Sequence, residues 1–279
     1  MDEPIDWAHD VLPAWGLQSG EERPVVPGPL PAPVTPEWAF GGATGAGVRV
    51  CILDSGIEAG HPLVGEVKRS VTVAEEADEP VIVDDDAGDV SGHGTACAGI
   101  IRSLAPEVIL GSARVLGADV NGRFATLKAG IAWAIDEGYD LLNLSLAVRS
   151  REFALDLCEL ADRGAFRGSV LVCSAHNLPF ESWPWRFASV VSVGSHDEDD
   201  PWRLYYNPEP PVEFYARGVD VPIAWPGGGT VRATGNSFAA PHVAGLLALI
   251  RSKHPRLTPF ELKTVLYRVA ANVAEAGKQ

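Results

Sequence analysis

Two kinds of apolar run alternate along this chain, and that alternation restricts its fold more than any other feature. VRVCILD (48–54) is short, β-branched and apolar almost from end to end. Such a run fits a strand buried on both faces, because a half-exposed strand would alternate apolar with polar residues. VILGSARVL (108–116), DLLNLSL (140–146), SVLVCSA (169–175) and SVVSVGS (189–195) read the same way. Between them, ATLKAGIAWAIDEG (125–138) and EFALDLCELADRG (152–164) have helical spacing, and each closes on a glycine suited to a helix C-terminus. SFAAPHVAGLLALI (237–250) reads as a buried helix. TPFELKTVLYRVA (258–270) opens with Thr258 as N-cap, Pro259 next, and Glu261 completing a capping box. Strand–helix alternation predicts an α/β fold in three layers, with a mostly parallel central sheet and helices on both faces.

Residues 1–40 are set apart from 41–279, which hold all of these elements. RPVVPGPLPAPVTP (23–36) contains six prolines. Proline lacks a backbone donor and fixes φ, so this stretch is expected to be extended, a leader or an arm. Asp and Glu outnumber Lys and Arg by 37 to 22, a formal charge of −15. Nucleic acids and anionic membranes are held by clustered Lys and Arg, so neither is an expected partner. No stretch approaches the roughly 18 apolar residues of a spanning helix. The acidic start, MDEPIDWAHD, does not resemble a signal peptide. Of the four cysteines, Cys51, Cys97 and Cys173 lie in apolar stretches, and none of the four forms a Cys-x-x-Cys pair with another. These read as buried thiols in a reducing compartment, the cytoplasm.

In parallel sheets, groups that act on a ligand gather beyond the carboxyl ends of the strands. Asp54 closes the strand of ILDSG, Asn177 follows the strand of VCSAHN, His93 sits in SGHGTACAGI, and Ser237 opens the helix of TGNSFAAPHVAG. Each has an ordinary reading as well: a strand-end cap, a turn residue, a helix cap. Taken together they carry a resemblance. ILDSG, GHGTACAGI and GNSFAAPHVAG resemble, in this order, the three signature segments of the subtilisin-like serine protease family, over roughly residues 45–272.

That resemblance implies a subtilisin-like fold and a serine endopeptidase acting on a peptide or protein substrate. Ser237 would be the nucleophile, His93 its general base, and Asp54 the carboxylate that orients the imidazole. The Asn177 amide and the Ser237 N–H would stabilise the oxyanion. The chemistry requires no cofactor. The contrasting reading is an inactive relative that binds peptides without cutting them. His242 belongs to the family's helix pattern and is read as structural. His61, His196 and His254 are read as surface residues. The oligomeric state is not legible.

Several positions depart from the family pattern. Asn236 stands where threonine is usual and is expected to keep a local hydrogen bond; Phe238 stands where methionine is usual. The substrate-pocket walls are Ser145-Leu146-Ala147 and Ser174-Ala175-His176, with Ala147 and His176 in place of glycines. A narrowed pocket follows, suited to a small side chain or a polar one that meets His176. Cys97, one helical turn after His93, matches branches of the family that carry a cysteine there. The acidic runs DDDAGD (84–89) and HDEDD (196–200) leave open a structural calcium, a solvated loop, or a preference for basic substrate residues. A leader this short resembles intracellular members, where it would lie across the cleft or on the core.

Overall fold

The computed structural model describes Glu22 and residues 30–76 and 79–276. In chain order the elements are α1 (Pro36–Phe40), β1 (Arg49–Asp54), β2 (Arg69–Glu76), β3 (Glu79–Asp84), α2 (His93–Leu104), β4 (Ile109–Arg114) and α3 (Phe124–Asp136). They continue with β5 (Leu141–Leu144), α4 (Ala154–Phe166), β6 (Val170–Ser174), β7 (Val191–His196), β8 (Leu204–Tyr206) and β9 (Phe214–Arg217). The last are β10 (Val221–Trp225), β11 (Gly229–Ala233), α5 (Asn236–Lys253), α6 (Pro259–Val269) and α7 (Ala271–Ala276).

Nine strands form one sheet in the order β3-β2-β4-β1-β5-β6-β7-β9-β8. The seven from β2 to β9 pair in parallel, and only the edges β3 and β8 run antiparallel. The apolar runs explain this: β5 and β6 are buried at every residue, and β1 at every residue after Arg49, as a sheet covered on both faces requires. Side chains alternate across it. Cys51 and Leu53 of β1 join the core that holds Leu127, Ile131 and Ile135 of α3 and Leu157 and Leu160 of α4. On the other face α2 and α5 pack against each other, α2 against β1, and α5 against β5, β6 and β7. The three-layer α/β expectation therefore holds.

The expectation for the Pro-rich stretch needs correcting at its end. Pro24, Pro27 and Pro29, and the leader's proposed placement over the cleft or core, lie outside the described residues. Pro36 begins a helix, because proline at the first helical position loses only a hydrogen bond that would go unmade anyway. Thr35 caps α1 by accepting from Trp38 N. The helix is then fastened to the end of α5: Trp38 stacks on His254 at 4.0 Å, and His254 Nε2–H donates to the Trp38 carbonyl at 2.8 Å. Residues 33–279 form one compact unit that includes α1. No helix among the described residues is long and apolar enough to cross a membrane.

Candidate active site

The carboxyl ends of three central strands, β1, β5 and β6, meet the first turns of α2 and α5. Asp54 is the last residue of β1 and is fully buried. Both of its carboxylate oxygens lie 2.9 Å from His93 Nδ1, and one also accepts from Ser55 N at 2.8 Å. His93 is the first residue of α2, and glycines on either side allow the approach. Gly92 has φ +101°, a left-handed conformation that favours glycine. A Cβ on Gly94 would fall 2.0 Å from the Gly56 carbonyl oxygen.

A carboxylate not singled out as a site residue holds this corner together. Asp89 ends the first acidic run, and its two oxygens accept from Ser55 Oγ, Ser91 N, Gly92 N, Thr95 N and Thr95 Oγ1. It therefore caps α2 and ties it to the loop after β1. Burial alone would raise the pKa of Asp89; the hydrogen bonds from Thr95, Gly92 and Ser91 outweigh it and hold the group below the ordinary carboxylate range.

Pro241 shapes the Ser237 side. It lies inside α5 and has no N–H to give the carbonyl four residues back, which belongs to Ser237. That carbonyl accepts from Ser145 Oγ at 2.7 Å, and Ser145 Oγ accepts from Asn143 Nδ2 at 3.1 Å. The start of α5 is thereby bolted to the end of β5. The Cys97 thiol completes the cluster, 3.7 Å from the same carbonyl oxygen and 3.5 Å from Ser145 Oγ. Cys97 is buried, and burial pushes its thiol pKa well up, so it is not a competing nucleophile.

Asn236 does far more than keep one local bond. Its side-chain oxygen accepts from Ser195 N at 2.9 Å and Ser195 Oγ at 2.7 Å. Its amide nitrogen donates to the carbonyls of Ala175 at 3.2 Å and His176 at 3.4 Å. Its backbone N–H donates to Asn177 Oδ1 at 2.8 Å. Gly235, just before α5, lies at φ 167°, extended backbone open to any residue, so no left-handed turn calls for glycine there. Glycine serves there through space: a Cβ would sit 3.1 Å from Ser237 Oγ and 3.5 Å from Asn177 Nδ2. Those two atoms therefore border one small volume.

His93, Asn177 and Ser237 line a cleft of about 540 Å³, with Asp54 behind His93. The five expected wall residues, Ser145, Leu146, Ala147, Ala175 and His176, line the same cleft. His176 is half-buried; its Nδ1 lies 3.0 Å from both the N–H and the carbonyl oxygen of Leu178. Phe238 packs with Ala96, Ile100, Val221 and Ile223, its ring 5.5 Å from that of His93. His242 is buried and donates to the Phe238 carbonyl; burial pushes its pKa down to about 4, so it stays neutral in a structural role.

Two expectations fail. His61 is buried rather than on the surface: its Nε2–H lies between the carbonyls of Trp225 and Gly229 at 3.0 and 3.1 Å, and its Nδ1 accepts from Leu63 N. The acidic runs do not line the cleft. Asp85 forms a two-point ion pair with Arg114, Asp84 meets Arg69, Asp199 meets Arg217 and Glu198 meets Arg203. A preference for basic substrates has no footing in them. Among the described residues, the one group of three His, Cys, Asp or Glu ligand atoms within 4.8 Å of one another is Asp54, His93 and Cys97.

The His93 pKa reflects competition. Burial favours the neutral ring, but the charge and hydrogen bond of Asp54, with Asp89 more remotely, outweigh it and raise the pKa. As a general base His93 would have to be neutral to act, and the raised pKa would then move the acid limb of kcat/KM to higher pH. That limb is expected above the ordinary histidine value of about 6.5. Asp54→Asn is expected to move it down. A pH profile of kcat/KM between pH 5 and 9 checks both, and a limb at or below the ordinary value would contradict the assignment.

Comparison with known proteins agrees with this geometry. The subtilase family model matches residues 45–279. Subtilisin DY of Bacillus licheniformis is 31% identical over 250 residues, covering 84% of this chain and 88% of its own. Subtilisin BL of Lederbergia lenta is 30% identical over 247 residues, covering 85% and 88%. The crystal structure of a cold adapted subtilisin-like serine proteinase superposes with a TM-score of 0.66 at 27% identity, covering 81% of this chain and 83% of the other. With its sheet order, its site at the strand ends and these relatives, the chain belongs to the subtilase family and is a serine-type endopeptidase.

Proposed function

We propose that the protein hydrolyses peptide bonds through an acyl-enzyme on Ser237. The observation that carries this reading is one cleft lined by Ser237, His93 and Asn177, with Asp54 hydrogen-bonded to the far nitrogen of His93. Because Asp54 accepts at Nδ1, Nε2 is left as the lone pair that takes the Ser237 proton as the hydroxyl attacks the scissile carbonyl. The imidazolium that forms is stabilised by Asp54 and returns its proton to the leaving amine. Water then repeats the sequence on the ester and frees the acid product. The negative oxygen of each tetrahedral intermediate is met by Asn177 Nδ2–H and by the Ser237 N–H. The latter lies in the first turn of α5, whose amides lack intrahelical acceptors. The 18-residue helix adds its positive end to the same place.

Alanine and histidine in place of wall glycines narrow the pocket for the residue before the scissile bond, favouring a small or polar side chain there. A fluorophosphonate probe tests the chemistry. Labelling is expected in the wild type and lost in Ser237→Ala. No labelling of the wild type would instead favour a protein that binds peptides without cutting them.

A further inference from the structure

The chain carries 37 acidic and 22 basic side chains, yet no Asp or Glu among the described residues lines the cleft. The charged or ionisable groups that do are Arg123, Arg149, His93 and His176. The ionisable side chains that line this cleft are thus cations and imidazoles, in a protein of net negative charge.

Arg149 is the informative residue. It follows the wall segment Ser145–Val148, whose last residue is bridged to Trp183 in antiparallel fashion. Its guanidinium stacks over the Phe180 ring, 4.5 Å from the centroid. His176, on the opposite wall, meets the same ring edge-on at 5.4 Å. One aromatic ring thus positions a guanidinium and an imidazole at one rim of the pocket. Arg149 has no ion pair among the described residues. The carboxylates nearest in sequence to this rim are occupied elsewhere: Glu152 accepts from Ser150 Oγ at 2.9 Å, and Glu181 faces Arg186 at 3.7 Å. The stacked guanidinium keeps its N–H edge free, since the ring occupies only its face. His176 Nδ1 lies 3.0 Å from both the N–H and the carbonyl oxygen of Leu178, which leaves Nε2 as the ring nitrogen without a protein partner among the described residues. The Arg149 fork, beside an imidazole that carries a second donor when protonated, matches a carboxylate.

We propose that this rim selects an acidic side chain, Asp or Glu, at the residue before the scissile bond, so that the protease cuts acidic peptide segments. The inference rests on the serine peptidase reading above and deepens it. The narrowed pocket excludes bulk; Arg149 and His176 choose among what remains.

Quenched fluorescent peptides identical except for Glu, Gln or Lys at that residue test it, with the full-length wild type, Arg149→Gln and Arg149→Glu. Fluorophosphonate labelling and thermal unfolding of each variant establish that the nucleophile and fold are intact. The wild type is expected to favour Glu over Gln by about fivefold in kcat/KM, the size of a good exposed ion pair. The ratio should shrink as salt is raised. It should fall to about one in Arg149→Gln and turn towards Lys in Arg149→Glu. Equal cleavage of Glu and Gln peptides by the wild type, or a Glu preference surviving Arg149→Gln, would overturn the proposal. Failure of the wild type to cut any peptide or take up the probe would instead remove the peptidase reading beneath it.

Discussion

His93→Ala is expected to lower kcat by about 10⁶, Ser237→Ala by a similar factor, and the two together by scarcely more. The equivalent single losses in a subtilisin measure about 2 × 10⁶. The non-additivity follows from the geometry. Asp54 is spent on His93 Nδ1, and the other imidazole of the cleft, His176, is turned to the Leu178 backbone, so a hydroxyl without His93 is an ordinary alcohol. What survives is the oxyanion site and substrate binding. The same change also strips the buried Asp54 of one donor while leaving Ser55 N, which is expected to cost about 1–3 kcal/mol of stability. Single-turnover kinetics on the two single variants and the double variant, each with its thermal unfolding curve, separate the two effects. If the losses multiplied, His93 and Ser237 would be acting independently and the assigned roles would be wrong.

The parallel core was legible because a strand buried on both faces leaves a signature in its own residues: VCIL in β1, LLNL in β5 and VLVCS in β6. The edges left none. β3 ends in Asp84, inside a run whose charge reads as loop, and β10 carries Pro222 and the exposed Trp225. Helix α1 leaves little trace in the sequence, because Pro36 continues a run of prolines and only the cap from Thr35 makes it a helix start. Within the site, Asp54, His93, Asn177 and Ser237 sit at strand ends or helix starts, where local pattern points to them. His61, Asp89 and Asn236 are different in kind. His61 finds its acceptors 164 and 168 residues away, and Asn236 finds Ser195 41 residues away. Asp89 lies within six residues of Ser91, Gly92 and Thr95 but 34 from Ser55, and only the folded first turn of α2 shows that it caps a helix. No short window encodes such partners; they exist once the strands are in register.

Asn177→Leu is expected to lower kcat by 10²–10³ with little change in KM, the range found on losing the matching amide in a subtilisin, about 2.7–4 kcal/mol. Leucine keeps the volume and removes the donor. The orientation of the amide is fixed by its neighbour: Asn236 N can only donate, so the oxygen of Asn177 must face it at 2.8 Å and the NH₂ must face the cleft. Asn236 is itself pinned by Ser195 and by the carbonyls of Ala175 and His176, so the donor stands in place before substrate arrives. A donor aimed at an oxygen that becomes negative only during reaction strengthens in the transition state and not in the bound substrate, which is why kcat should carry the loss. If KM rose in proportion while kcat held, Asn177 would be gripping the ground-state substrate, and the oxyanion would have to be stabilised by the Ser237 N–H alone.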